Sequence, residues 1–195
     1  MRRWLALWFV LAALGLGQLA CSDAHFPGDP SAVLACEQNL RAIYQALLAY
    51  QQEHGELPRE RGARFLAALD GPEIRARLTC PAVDRGALPI GAIEDQAQWF
   101  HPLEAVDGTR TAYAARDNVR FPLRRLPGPH EQILVADDND GGANHRARTL
   151  VLRADGSVTA YDSSDSSMAR MPGEQSVLRV GPRSPIAELR TLSPE

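Results

Sequence analysis

Asp137, Asp138 and Asp140 fall in one short stretch with Asn139 and the pair Gly141-Gly142. Closely spaced carboxylates in a glycine-bearing loop suit a hard divalent cation, since calcium takes roughly six to eight oxygens from a turn that can wrap it. The stretch follows a D-x-D-x-D-G order only in part and has no distal glutamate. The expectation is therefore weak calcium binding through Asp137, Asp138 and Asp140, with no other cofactor. Asp and Asn also simply cap turns. His145 follows this loop. As a general base it would need a nucleophile and an orienting acid. Asp137, Asp138 and Ser163 could be recruited, but there is no G-x-S-x-G elbow. His145 is thus expected to be a structural histidine, hydrogen-bonded across the base of a hairpin, and the chain is read as non-enzymatic. No G-x-x-x-x-G-K-[ST] or G-x-G-x-x-G occurs, so nucleotide binding is not expected. His25, His101 and His130 stand beside proline or charge and read as solvated.

Three cysteines, Cys21, Cys36 and Cys80, carry the next signal. Cys21 ends the segment MRRWLALWFVLAALGLGQLAC, which has a positive start at Arg2-Arg3 and an apolar run from Trp4 to Leu16. That run has the length of a signal-peptide core and is short for a membrane span. Small residues before the cysteine resemble a bacterial lipobox, so residues 1–20 are read as a leader cleaved before a lipidated Cys21. An ordinary secreted protein and an uncleaved anchor are the alternatives. All three put the remainder outside the cytoplasm, in a bacterial cell envelope, facing the periplasm or the exterior. Cys36 and Cys80 then form an even pair in an oxidising compartment. A bridge between them would close a loop of about 45 residues and stabilise by about 3–4 kcal/mol. The alternative is two buried thiols. No C-x-x-C or Cys/His spacing suggests zinc.

The elements that must position these residues are legible in part. The chain has 195 residues, 45% of them hydrophobic and 23% charged, enough for one folded domain. Its formal charge is −3, with no lysine among its basic residues. No basic surplus argues for nucleic acid. Residues 21–29 read as a linker, residues 30–161 as the folded domain, and residues 162–195 as a loosely ordered extension. Val33, Cys36, Leu40, Ile43, Tyr44, Leu47 and Leu48 recur at helical spacing, which predicts a helix over 31–54 stopped by Gly55. A second short helix is expected over 63–69 and further helical turns over 72–78. Strands are expected over 111–115, 132–136 and 148–153. Asp155-Gly156 predicts a two-residue hairpin turn into a return strand over 157–161. Residues 176–180 are read as an edge strand. The plan is α+β, a long N-terminal helix packed on a small antiparallel sheet.

Three pieces together resemble a known group. Cys36-Glu37-Gln38-Asn39-Leu40-Arg41-Ala42-Ile43, continuing through Tyr50 to His54-Gly55-Glu56-Leu57-Pro58, is similar to the C-x-x-N-L-R-x-I segment of prepilin-type, pseudopilin-like bacterial proteins. Leu78-Thr79-Cys80-Pro81 resembles the L-x-C-P that follows in them. His145, nine residues and then Asp155-Gly156 resemble their C-terminal His-nine-Asp-Gly signature. Here a lipoprotein-like leader stands in place of a prepilin cleavage site. The resemblance implies a pseudopilin-like domain acting through contacts with other envelope proteins, linked to a type II secretion or pilus-like system. It also implies a calcium loop near the end of the sheet. A periplasmic metal- or glycan-binding module is the alternative.

Overall fold

The computed structural model describes residues 30–69, 71, 74, 77–78, 111–137, 145, 148–162 and 178–194. Helix α1 runs Pro30–His54, with proline at the first position, where its missing N–H costs nothing. Its buried face is Ala32, Cys36, Asn39, Leu40, Ile43 and Leu47, the expected stripe with one polar residue in it. Gly55 ends the helix in the left-handed region at φ 81°, its N–H donating to the Gln51 carbonyl at 2.8 Å. Helix α2 is Gly62–Ala67, shorter than expected. Among the described residues no helix is long and apolar enough to cross a membrane.

Five strands form one antiparallel sheet: β1 (Ala114–Arg116), β2 (Ile133–Ala136), β3 (Arg148–Arg153), β4 (Val158–Asp162) and β5 (Leu192–Ser193), in the order β4-β3-β2-β1-β5. The α+β plan therefore stands. Both faces of the sheet are covered. On one, the α1 stripe and α2 pack on Tyr113, Ala115, Leu134, Val135, Leu150 and Leu152. On the other, Ala114, Ile133, Ala136 and Val151 meet Leu178, Val180, Leu189 and Leu192. A register shift between Ile133 and Val135 turns two successive residues, Leu134 and Val135, toward the helices, which strict alternation would forbid.

The loosely ordered extension expected over 162–195 is corrected over much of its length. Asp162 is the last residue of β4, and residues 178–194 supply a 3₁₀ helix (Glu188–Thr191), strand β5 and one whole side of the core. Residues 178–180 are extended without being a strand, although Leu178 and Val180 are buried. What fastens this segment is polar. The Glu188 carboxylate accepts from the Tyr161 hydroxyl and from Arg153 Nη1 at 3.2 Å. Arg153, buried at the end of β3, also donates to Thr159 Oγ1 at 2.9 Å and to the His130 carbonyl at 3.1 Å.

These bonds set a pH window. The Tyr161 hydroxyl, then Arg153, hold the Glu188 carboxyl below its ordinary range despite partial burial. Burial, then the Glu188 bond, pushes the Tyr161 hydroxyl above its own. A lowered acid contributes stability above its unfolded value, ~4.3, and loses it as pH falls through the folded value. A raised phenol contributes below ~10 and loses it as pH climbs. Wild type should therefore out-melt Glu188→Gln near neutrality, at about pH 6, and lose that advantage as pH falls through the range where the folded carboxyl takes up its proton. Equal melting midpoints at about pH 6 would show that Glu188 does not hold the segment.

Candidate functional site

Three residues from three elements meet at one end of the helix–sheet interface. Cys36 comes from the second turn of α1, Asp137 directly follows β2, and His145 lies just before β3. All three are fully buried, and each places a potential ligand atom within 4.8 Å of the other two. The helical stripe puts Cys36 here, four residues before Leu40 on the same face. The β2–β3 ladder brings the other two together, because its pairing of Ala136 with Val151 aligns the residues on either side of the intervening loop.

Asp137 closes that ladder with its side chain. Its N–H donates to the Leu150 carbonyl at 3.0 Å, and its Oδ1 accepts from the Leu150 N–H at 2.8 Å. Oδ2 stands 2.9 Å from His145 Nε2. Burying a carboxylate costs several kcal/mol unless its oxygens are satisfied, and the Leu150 N–H satisfies Oδ1. His145 itself is anchored through its carbonyl, which accepts from the Arg148 N–H at 3.2 Å. Beside Cys36, the Tyr113 hydroxyl stands 4.0 Å from Sγ and accepts from Asn39 Nδ2 at 3.4 Å. Arg77 Nη1 donates to Asn39 Oδ1 at 3.3 Å.

Cysteine, histidine and aspartate are the types of a nucleophile, its base and an orienting acid. Burial argues against that use. Two clefts lie elsewhere: one of about 500 Å³ beside Tyr50, Glu53, His54 and Ile74, and one of about 370 Å³ beside Arg41, Tyr44 and Asp155. Neither is lined by Cys36, Asp137 or His145.

The second half of the His-nine-Asp-Gly pattern lies at the other end of β3. The turn is a three-residue loop, Ala154–Gly156, rather than the two-residue loop expected. Gly156 N–H donates to the Arg153 carbonyl at 3.0 Å, and Arg153 N–H to the Ser157 carbonyl at 2.9 Å. Gly156 takes the left-handed position at φ 87° that such loops require. It lies flat against the Tyr44 ring, whose hydroxyl donates to the Ala154 carbonyl at 3.4 Å. Asp155 accepts from the Ser157 hydroxyl at 2.6 Å and sits 2.7 Å from His130 Nδ1. The Ser157 hydroxyl, then His130, hold its carboxyl well below the usual range. His130, expected to be solvated, is half exposed but engaged. Serine and aspartate both approach the same ring nitrogen, Nδ1, so the set cannot relay a proton through the imidazole. It braces a turn.

His145, expected as a structural histidine at the base of a hairpin, lies buried with its Nε2 2.9 Å from Asp137 Oδ2. Asp137 points into the core, its Oδ1 accepting from the Leu150 N–H and its Oδ2 2.9 Å from His145 Nε2. Asp138, Asp140, Cys21 and Cys80 lie outside the described residues, as does the Cys80 end of the expected Cys36–Cys80 bridge. Among the described residues there is no disulfide. Sequence reasoning missed Tyr113 as part of the cluster, since nothing in its spacing ties it to Cys36. No protein-family model, no curated protein and no solved structure matches the chain significantly.

Proposed function

We propose that this chain is a non-enzymatic, lipid-anchored envelope protein with a pseudopilin-like domain that works through protein contacts with a type II secretion or pilus-like machine. The observation that carries the reading is the use made of the motif residues. Cys36 and His145 are buried together where α1 meets the sheet, and Gly156 seats Tyr44 of the same helix eight residues further on. Gln51, two turns beyond, takes both the N–H and the carbonyl of Leu126. The α1 helix is thus fixed to the sheet at three points spread over about 22 Å of its length. Residues of these types could do chemistry, but here they are spent on a rigid helix–sheet unit, which is what a scaffold presenting surfaces to partners needs. The leader supplies the membrane attachment through Cys21.

The test is affinity capture of the full chain from its native envelope after mild crosslinking, with mass analysis of its N-terminus. Lipid on Cys21 and recovery of secretion or pilus components are expected. An intact leader on a cytosolic species, or capture of none of those components, would remove the reading.

A further inference from the structure

We propose that Cys36, Asp137 and His145 bind a thiophilic divalent cation of the zinc class, as a structural ion joining α1 to the β2–β3 hairpin. This goes beyond the contact-mediated role above and does not depend on it. The argument is one of ligand chemistry and placement. A sulfur from α1 and, about a hundred residues later, a carboxylate oxygen and a nitrogen from the segment joining β2 to β3 converge within 4.8 Å in a fully buried spot. Zinc bonds run about 2.3 Å to sulfur and about 2.0–2.2 Å to nitrogen and oxygen, so ligands on one ion stand roughly 3–4 Å apart; the present ligand atoms lie within 4.8 Å of one another, Oδ2 and Nε2 at 2.9 Å. Calcium, which wants only oxygens and many of them, does not suit this set, and the soft thiolate selects for zinc-like ions.

The surroundings fit an ion site as well. Asp137 Oδ1 is oriented by the Leu150 N–H, which leaves Oδ2 facing His145. Tyr113 and Asn39 form a polar rim beside Cys36 that would hold its sulfur in place, the outer support that ligands need. On binding, the thiol proton of Cys36 leaves for solvent and the thiolate takes its place on the ion. One sulfur cannot serve both fates. Cys36 as a ligand is a thiolate, whereas Cys36 bridged to Cys80 is not, so the site belongs to the reduced chain.

The experiment uses the full chain carrying Cys21→Ser and Cys80→Ser, which leaves Cys36 as its sole thiol, reduced and stripped with a chelator. Zn²⁺ at about a hundredfold excess over Kd should raise the melting temperature by about 5–10 °C. Co²⁺ in its place should give a thiolate-to-metal charge-transfer band at one equivalent. Adding Cys36→Ala, a small change at a buried thiol, should abolish both effects while the circular dichroism stays native. An unchanged or lowered melting temperature with Zn²⁺, or absence of the cobalt band in a chain whose circular dichroism is native, would overturn the proposal. So would a Zn²⁺ shift that survives Cys36→Ala.

Discussion

Asp137→Ala is expected to cost the domain about 2–6 kcal/mol, ~1–3 kcal/mol for each of two buried polar groups left without a partner. Against a total of about 5–15 kcal/mol this leaves little. Two losses combine. The Leu150 N–H, buried in the ladder, loses its acceptor at 2.8 Å, and His145 loses the oxygen 2.9 Å from its Nε2. Each is a buried polar group stranded, not a bond exchanged for water. Asp137→Asn separates the two. The amide oxygen still serves Leu150 while the charge facing His145 disappears, so the cost should fall to about 1–3 kcal/mol. His145→Ala should be severe on its own, yet the double variant Asp137→Ala/His145→Ala should cost clearly less than the sum, because the second change removes the group that the first left stranded. Urea unfolding of the four proteins measures this. Strict additivity would show that the two side chains do not act as a pair.

Gly156→Ala is the second large effect, about 2–5 kcal/mol. Two terms contribute, each with its own origin. At φ 87° a Cβ costs about 1–2 kcal/mol by itself. That Cβ would also stand 2.8 and 2.9 Å from two atoms of the Tyr44 ring, and the ring must move against a packed core, which adds about 1–3 kcal/mol. In a Tyr44→Ala background the collision vanishes while the backbone term remains, so the same change should then cost only about 1–2 kcal/mol. Gly55→Ala is the natural control. Its φ is 81°, but a Cβ there meets nothing within 4 Å, so it should show the backbone term alone, about 1–2 kcal/mol. Equal costs at Gly55 and Gly156 would mean that the turn does not press on the helix.

Both sites lie where the sequence was most legible, and they show where it stopped being so. The α1 stripe could be read because one face is apolar from Ala32 to Leu47, and Gly55 marks the helix end. The β3–β4 hairpin could be read from Asp155-Gly156. Strand β5 could not, and β1 could only in part: the strand expected over 111–115 is three residues, Ala114–Arg116, all buried, and β5 is two. With a layer on each side of the sheet, the in–out alternation that announces a strand disappears, as the unbroken burial of β2 also shows. Residues 178–194 looked loose because their order comes from burial of Leu178, Val180, Leu189 and Leu192 on the sheet and from Arg153 and Tyr161, and nothing local in the sequence announces either. For the candidate site, Cys36, Asp137 and His145 each drew notice for a different reason, as bridge partner, cation ligand and motif histidine. Spacing along a chain cannot report that they meet, since that depends on how the helix lies across the sheet.

The pairing of Ala115 with Ser193 has a consequence for how the polypeptide must be made. A strand emerging early waits for its neighbour until nearly eighty further residues have been synthesised, and until then Ala114, Ile133, Ala136 and Val151 have no cover on their side. Such distant pairing is slow to form. During synthesis the growing chain therefore carries an apolar β-surface left uncovered until the last strand and its flanking residues emerge. A ribosome stalled before codon 178 would release a product prone to clump, even with the helix side fully in place.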